Sequence, residues 1–279
     1  MNFFKLSLLT VSLLLIGCGS DSKSNSDKPN DTKVESIKDA QKNFKVITAF
    51  GGLGKSIGQV TNTDNLKKQK ILNKLQKEGP RSCKDGGTSS VVISQNETII
   101  EMNFNQCKVN DSLQNGRIII TDINDYDSKL EIIEYTYSDR NSSGYMNITM
   151  EEKTINNIST TLMNGVINQK NSNGEINNMS VTNMKSVEKE TSTEFWYTMD
   201  GSMSIESKCF TGAYTFKTIE KLVQAKDGSE NLESGILKLN SATYTFNNPD
   251  VTIKIGSSTE TILQSDLEKR FETETVCDE

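Results

Sequence analysis

The chain has 279 residues, a net charge of −6 at pH 7 and 34% hydrophobic residues, so it is long enough for one large domain or two modest ones. Its acidic balance, without a block of basic residues, argues against nucleic acid as a partner. The sequence contains no histidine, which excludes imidazole bases, Ser-His or Cys-His dyads and histidine metal ligands.

The N-terminus has the layout of an export signal. A short, weakly basic segment (residues 1–5) precedes an apolar run (residues 6–16) that is too short to span a bilayer. The run leads into Leu15-Ile16-Gly17-Cys18. This sequence resembles the lipobox of bacterial lipoproteins, whereas no motif in the mature domain resembles a known family. The alternative is an ordinary signal or short anchor with an incidental cysteine.

The lipobox resemblance implies an anchor and a location. It implies cleavage before Cys18, a diacylglycerol thioether on that cysteine and a further acyl chain, such as palmitate, on its new amine. Two or three acyl chains hold a protein firmly to a membrane, so we expect a lipid-anchored protein of the cell envelope. Gly19 follows the cysteine. In the family an aspartate there often signals inner-membrane retention, so the outer membrane is favoured over the inner.

A polar tether and a helical segment follow the lipid site. Residues 19–32 contain no apolar side chain, and we interpret residues 18–32 as a flexible tether. Residues 33–80 are predicted to be helical, with a second helix that starts near residue 64 and ends at Gly79-Pro80. The first helix has one apolar stripe at three- and four-residue steps, formed by Val34, Ile37, Ala40, Phe44 and Ile47.

Residues 49–56 match a relaxed phosphate-loop pattern, with Ala49 in place of the leading glycine and Lys55-Ser56 at the end. Such a loop joins a buried strand to a helix, so that backbone amides can cradle phosphates. Here the preceding segment has a helical pattern. We therefore interpret these residues as a glycine-rich bend, and we expect no nucleotide partner.

Four cysteines remain once Cys18 is assigned to the lipid: Cys83, Cys107, Cys209 and Cys277. An even number in an oxidising compartment indicates two disulfides. Apolar residues 91–93 and 98–100 flank a polar turn at residues 94–96. If Ile93 pairs with Glu97, Cys83 falls opposite Cys107 at a Cα separation of about 5 Å, on the face away from Phe104. This favours Cys83–Cys107 and Cys209–Cys277. A metal site is the alternative, but no Cys-x-x-Cys spacing is present.

From Gly87 onward the pattern alternates as in β-strands. Met146, Ile148 and Met150, for example, alternate with Asn147 and Thr149. One apolar face per strand is typical of an antiparallel sheet covered on one side. Six dipeptides of a small polar residue and glycine are interpreted as hairpin turns. They are Asn115-Gly116, Ser143-Gly144, Asn164-Gly165, Asn173-Gly174, Asp200-Gly201 and Ser234-Gly235.

Residues 122–127 are rich in aspartate, but they fail the pattern of a twelve-residue calcium loop. That loop needs an oxygen ligand at its fifth position and glycine at its sixth, where Tyr126 and Asp127 stand. We interpret the stretch as a hairpin loop and expect no metal. An irregular calcium site is the alternative.

Three short motifs predict a modification site, the placement of aromatic side chains and a helix. Residues 139–143 (DRNSS) fit the extended acidic sequon of bacterial periplasmic N-glycosylation, so Asn141 is a candidate acceptor in a predicted loop. Residues 195–197 (FWY) place at least one aromatic side chain away from the main core, because neighbours on a strand face opposite sides. Residues 265–268 (SDLE) resemble a capping box and predict a short helix.

These features predict a mainly β fold, a curled antiparallel meander of roughly a dozen strands with N-terminal helices packed on it. The predicted organisation is a lipoprotein signal peptide (1–17), a tether (18–32), a helical segment (33–80) and an antiparallel β domain (81–279). This arrangement is similar to helix-covered half-barrel lipoproteins and lipoprotein carriers.

The predicted function is that of a cell-envelope lipoprotein acting as a non-enzymatic structural or interaction module. One alternative is a carrier of a hydrophobic ligand or lipid in a cavity between sheet and helices. A second alternative is a hydrolase of envelope polymers that uses paired carboxylates. We expect no catalytic residues and no cofactor. The expected partners are the membrane, through Cys18, and an envelope protein or a lipid ligand.

Overall fold

The computed structural model of the protein describes residues 35–41, 43, 80–94, 98–124, 127–172, 174, 176–207, 211–224 and 231–267. Fourteen strands lie within these ranges. They are β1 (Arg81–Ser82), β2 (Thr88–Ile93), β3 (Ile99–Val109), β4 (Ser112–Asn124), β5 (Asp127–Ser138), β6 (Ser142–Ile155), β7 (Ile158–Asn171), β8 (Ile176–Glu190), β9 (Phe195–Glu206), β10 (Thr211–Gln224), β11 (Leu232–Leu239), β12 (Ala242–Asn247), β13 (Asp250–Ile255) and β14 (Ser258–Leu263).

The strands form one antiparallel meander, in which their order in the sheet is the same as their order in the chain. β1 and β14 lie at the two ends and do not pair with each other, so the sheet is not closed within the described residues. The prediction of a mainly β, antiparallel meander is therefore confirmed.

Each strand buries one face, as its alternating sequence predicts. In β12, Ala242, Tyr244 and Phe246 are at most 2% exposed, whereas Thr243 and Thr245 between them are less buried. Side chains of this kind form a single cluster that extends from Ile118 in β4 to Leu267 after β14. We call this buried side of the sheet the inner face and the opposite side the outer face.

The centre of the inner face is rich in methionine. Cross-strand partners place Met163 of β7 between Met150 of β6 and Met184 of β8. Long, unbranched thioether side chains adapt to irregular gaps, which suits strands that are interrupted by bulges. The buried methionines are Met146, Met150, Met163, Met179, Met184, Met199 and Met203.

Five of the six dipeptides predicted as hairpin turns lie within strands instead, so that prediction was wrong for them. Gly174 alone lies between two strands, β7 and β8. Four of the strand glycines have a positive φ: Gly116, Gly165, Gly201 and Gly235, at +105° to +144°. A polar residue followed by glycine serves a bulge within a strand as well as a turn between strands, and sequence alone does not distinguish the two.

The Asn164-Gly165 dipeptide of β7 contacts both neighbouring strands. A Cβ on Gly165 would collide with the backbone carbonyl oxygen of Asn147 in β6, so only glycine permits this close approach. On the other side, the Oδ1 atom of Asn164 accepts a hydrogen bond of 2.6 Å from the backbone N–H of Asn183 in β8. Asn183 itself has φ of +49° and lies in a bulge between β8 and β9.

The same arrangement occurs in β4 and β9. The Oδ1 atom of Asn115 accepts the backbone N–H of Gln106 in β3 at 2.6 Å, and Gly116 packs on the carbonyl of Glu134 in β5. In β9, Asp200 accepts the N–H of Thr218 in β10 at 3.0 Å, while Gly201 packs on the carbonyl of Asn183.

Together these sites form a line of kinks across the sheet. Register shifts occur in the strand pairs β3–β4, β4–β5, β5–β6, β7–β8, β8–β9, β9–β10 and β10–β11. Bulges bend a strand and increase its twist, so the sheet bends along this line. We call it the kink line and define it by Gln106, Gly116, Glu134, Asn147, Gly165, Asn183, Gly201 and Gly235.

Several hairpin turns use asparagines with left-handed backbone. Asn156 and Asn157 have φ of +52° and +60° and join β6 to β7, as a type I′ turn requires. Asn110 and Asn240, with φ of +55° and +53°, lie at the turns after β3 and β11. Asparagine tolerates this conformation better than most residues. In these turns asparagine therefore supplies the positive φ that was predicted to come from glycine.

The prediction that N-terminal helices pack on the sheet is not confirmed. Within residues 33–80 the structure describes one short helical stretch, residues 37–41 and 43, and the predicted second helix lies outside the described residues. The stretch begins with a capping box between Ser36 and Asp39. Its Ala40 is fully buried in the core, and the hydroxyl of Tyr244 donates a 2.6 Å hydrogen bond to the Ala40 carbonyl oxygen.

A second short helix, residues 264–267, follows β14 at the place where residues 265–268 predicted one. Its first residue, Gln264, is buried, and its side chain accepts from the backbone N–H of Leu232 at 3.0 Å and donates to the Leu232 carbonyl at 2.8 Å. This side chain joins the beginning of β11 to the end of β14. No helix among the described residues is long and apolar enough to cross a membrane.

The kink line yields a stability prediction. Gly165→Ala should lower the free energy of unfolding by about 3 kcal/mol, because the new Cβ meets a backbone carbonyl of β6 and the positive φ is strained for alanine. Gly174→Ala is the matched control: its φ is also positive, at +88°, but a Cβ there meets nothing within 4 Å. It should cost about 1 kcal/mol. Urea unfolding midpoints measure both losses, and equal losses would show that the close approach at Gly165 does not matter.

Candidate functional site

A groove of about 400 Å³ crosses β4 to β8 on the outer face. The sheet register aligns part of its lining in a row, in which each residue is the Cα partner of the next. Tyr145 stands in the middle, next to the buried Met146 and therefore pointing to the opposite side of the sheet. We call this the central row: Asn115, Thr136, Tyr145, Asn168 and Asn178.

A second row runs parallel to the first, two residues further along each strand, and we call it the rim row. Its members are Leu113, Ser138, Ser143, Lys170 and Ile176, again aligned as successive cross-strand partners. Between the rows, Tyr137 pairs with Gly144, and the tyrosine ring occupies the space that a Cβ at Gly144 would need. Gly144 is therefore covered by an aromatic ring from the neighbouring strand.

The groove is polar but almost uncharged. Among the described residues of its lining, Lys170 is the one charged residue and none is a carboxylate, although the chain has 37 aspartates and glutamates. Tyr137 faces the inner side, where it packs against the core beside Tyr135, and burial raises its pKa, opposed by a hydrogen bond with Ser142. The groove thus presents amides and hydroxyls rather than an acid–base pair.

Most polar side chains of the groove are free to bind a ligand. Within the described residues, Thr136, Ser138, Ser143, Tyr145 and Asn168 form no side-chain hydrogen bond with the protein. This distinguishes Asn168 from Asn115 and Asn164, which directly precede glycines of the kink line and whose side chains hold neighbouring backbones.

The two outer amides of the central row are each partly used. The Oδ1 atom of Asn115 accepts the backbone N–H of Gln106, and the Nδ2 atom of Asn178 donates to Glu206 at 3.0 Å. Within the described chain, each keeps its other amide atom available. The row therefore offers both donors and acceptors.

The predicted Cys83–Cys107 disulfide is present, with a Cα–Cα distance of 5.3 Å. The register from which it was predicted was wrong, however. Ile93 pairs with Ile100 rather than with Glu97, and Cys83 follows the short strand β1 instead of extending β2.

The bulge at Gln106 also places Cys107 differently from expectation. Gln106 has φ of +47°, and the register shift that it causes makes Cys107 the partner of Gln114. Phe104 pairs with Gly116, which is two residues from Gln114 on β4 and therefore on the same face as Gln114. Cys107 thus lies on the same face as Phe104, whereas the opposite face was predicted. A bulge adds a residue to one strand and shifts the register beyond it, so a prediction based on regular alternation does not include this shift.

Several predicted sites lie outside the described residues. These are Cys18, Cys209 and Cys277, together with the phosphate-loop-like residues 49–56. Lipidation and the Cys209–Cys277 disulfide stay predictions, as does the interpretation of residues 49–56 as a bend.

Asn141 lies in the tight connection between β5 and β6, and its side chain is exposed. The carboxylate of Asp139 accepts the backbone N–H groups of Asn141 and Ser142, both at 2.7 Å. The acidic residue of the sequon therefore holds the turn. Glycosylation of Asn141 stays a prediction.

The aspartate-rich stretch was predicted to be a loop, but β4 continues to Asn124 and β5 begins at its partner Asp127, so Asp122 and Asp127 lie in strands. Residues 125–126 lie outside the described residues. Among the described residues, no group of three or more Cys, Asp or Glu is arranged to hold a metal ion.

The aromatic triplet of β9 divides between the two faces, as predicted. Phe195 and Tyr197 lie on the same side, with ring centroids 5.9 Å apart. Trp196 faces the other way, and the Nζ atom of Lys221 lies 5.6 Å from its ring centroid. Because Lys221 also pairs with Glu194 at 2.6 Å, Trp196 is packed under a salt bridge rather than left open for a ligand.

No protein-family model and no curated protein matches this chain. The groove therefore rests on the structure alone, and the sequence analysis missed it. Its rows draw one residue from each of five strands, and their alignment depends on bulges that the sequence does not reveal. The sequence contains one indication of a polar outer face at this place, because Ser143 and Tyr145 alternate with Gly144 and Met146.

The disulfide yields a second prediction. The double variant Cys83→Ser/Cys107→Ser should lose about 3 kcal/mol of stability, because the bond closes a loop with a sequence separation of 24. Urea unfolding of the oxidised protein measures the loss. Peptide mapping without reduction should recover the Cys83–Cys107 peptide from the parent chain, and a Cys83–Cys209 peptide would contradict the assignment.

Buried tyrosines yield a third prediction. Burial raises the pKa of Tyr135 and of Tyr197 to about 12, with the neighbouring Tyr137 adding to the effect on Tyr135. Since the unfolded value is near 10, the contribution of each to stability is complete below pH 10 and is lost as the pH rises to 12. For Tyr135, which is 3% exposed, the loss is about 2–3 kcal/mol.

This alkaline loss can be measured by urea unfolding at a series of pH values. Tyr135→Phe should show a smaller decline of the unfolding free energy between pH 10 and pH 12, because phenylalanine does not titrate. A decline as steep as that of the parent protein would contradict the role of Tyr135.

Proposed function

We propose that the protein is a cell-envelope lipoprotein, held at a membrane by acyl chains on Cys18, and that its β domain is a non-enzymatic binding module. The observation that carries the anchoring is Leu15-Ile16-Gly17-Cys18 at the end of an eleven-residue apolar run, residues 6–16. The outer membrane is the proposed location, because Gly19 rather than aspartate follows the cysteine.

The outer-face groove supports the role of a binding module. It combines a volume in the range of ligand sites with free amides and hydroxyls, and it lies on a rigid sheet rather than on a loop. The chain has no histidine, and no carboxylate is among the described residues that line the groove. These features favour recognition over catalysis, since general acid–base chemistry needs a titratable pair.

One observation favours a second candidate function, carriage of a hydrophobic ligand. Seven buried methionines line the centre of the inner face, and methionine is frequent at adaptable apolar binding surfaces. However, their exposure is at most 9%, which favours a filled core over an open cavity. Mass spectrometry of gently extracted protein distinguishes the two: a stoichiometric co-purifying lipid would favour the carrier.

Anchoring is tested by Cys18→Ser in the full-length chain. The variant should lose the acyl chains and move from the detergent phase to the aqueous phase in Triton X-114 partitioning, because no other segment provides a membrane anchor in this proposal. Intact mass should show the loss of the acyl groups. Ser20→Ala is the matched control beyond the lipobox, and it should partition like the parent chain. A Cys18→Ser protein that stays wholly in the detergent phase would overturn the anchoring proposal.

A further inference from the structure

We propose that the groove formed by the central row and the rim row binds a neutral oligosaccharide lying across the strands. This inference deepens the proposed function by naming the ligand class of the binding module. Its basis is the shape of the groove, the chemistry of its lining and the state of its hydrogen-bonding groups.

The shape of the groove suits an extended ligand. The central row crosses five neighbouring strands, from Asn115 in β4 to Asn178 in β8. Neighbouring strands lie about 4.8 Å apart, so the row is about 19 Å long. This length accommodates several linked sugar rings, and the volume of about 400 Å³ lies in the range of ligand sites.

The lining matches the two surfaces of a sugar ring. Pyranose rings carry hydroxyls around their edge and C–H groups on their faces. Asn168, Thr136 and Ser143 offer amide and hydroxyl partners for the edge. Tyr145 in the centre, with Leu113 and Ile176 in the rim row, offers apolar surface for the faces. Ile176 is 50% exposed, which leaves that surface accessible.

The charges of the groove point to a neutral ligand. Among the described residues of the lining, Lys170 is the single charged one, and the carboxylate next to the central row, Glu206, already accepts a hydrogen bond from Asn178. An anionic polymer would meet one positive charge across five strands, on a chain whose net charge is −6. A neutral glycan avoids this repulsion and pairs with the uncharged amides and hydroxyls.

Five polar side chains of the groove have no hydrogen-bond partner among the described residues: Thr136, Ser138, Ser143, Tyr145 and Asn168. By contrast, Asn115 and Asn164, each directly before a glycine of the kink line, hold neighbouring backbones. Four residues after Asn164 on the same strand, Asn168 forms no side-chain hydrogen bond within the described residues, and neither does Tyr145 beside it. Amides and hydroxyls without protein partners, aligned in one concave site, are available for a ligand.

The test uses the full-length lipoprotein, purified in detergent, and three neutral hexasaccharides as probes: cellohexaose, chitohexaose and maltohexaose. We expect at least one to bind in calorimetry at up to millimolar concentration. Tyr145→Ala and Asn168→Ala should each weaken binding at least about tenfold. Asn247→Ala is the matched control, because Asn247 is an exposed strand asparagine in β12, away from the groove. Its affinity should equal that of the parent protein.

The outcomes separate this inference from its alternatives. Tyr145→Phe keeps the ring and removes the hydroxyl, so it should retain more affinity than Tyr145→Ala. Asn168 is exposed, so its replacement should leave the urea midpoint unchanged and provides a variant that folds. Absence of binding by all three hexasaccharides, undiminished binding in both alanine variants, or preference for the neutral peptide Ala-Ser-Ala-Ser-Ala-Ser would overturn the inference. The anchoring proposal would be untouched by these results, because it is decided by the partitioning of Cys18→Ser.

Discussion

The form of the sheet depends on two contacts that hold the backbone of Asn183, one from each neighbouring strand. Asn164 of β7 accepts its backbone N–H at 2.6 Å, and Gly201 of β9 packs against its carbonyl. Each Asx-Gly dipeptide thus joins its own strand to two neighbours at a bulge. These contacts recur from β3 to β10, so the kink line crosses most of the fourteen-stranded sheet.

The composition of the core follows from this bending. Where strands are interrupted by bulges, the spacing of side chains on the inner face is less regular, and flexible side chains adapt to it. Methionine fills such spaces, and Met163, Met184 and Met199 lie on strands that carry kinks. On β12 and β13, beyond the kink line, the core returns to closely fitting residues such as Tyr244, Val251 and Ile253, all fully buried.

The sequence predicted the fold class because strand alternation is a local signal, and the alternation of Met146, Ile148 and Met150 is unbroken. It did not predict where strands end. Asn164-Gly165 has the chemistry of a turn, and only the approach of Asn147 and Asn183 from neighbouring strands makes it a bulge. The Cys83–Cys107 pair shows the same limit: its Cα distance was predicted correctly, but its register and face were not. The groove could not be predicted from the sequence, since its prediction requires four correct strand registers at once.

Asparagine side chains have two roles in this protein, and the presence of a following kink-line glycine separates them. Where that glycine follows, as at Asn115 and Asn164, the amide oxygen replaces a missing backbone partner, so the side chain is used by the fold. Beside the line the ladder is regular, and the backbone groups are satisfied by neighbouring strands. An amide placed there, such as Asn168, has no structural task, and burial of the opposite face already stabilises the strand. The outer face next to the bend is therefore where polar side chains can be selected for binding without loss of stability.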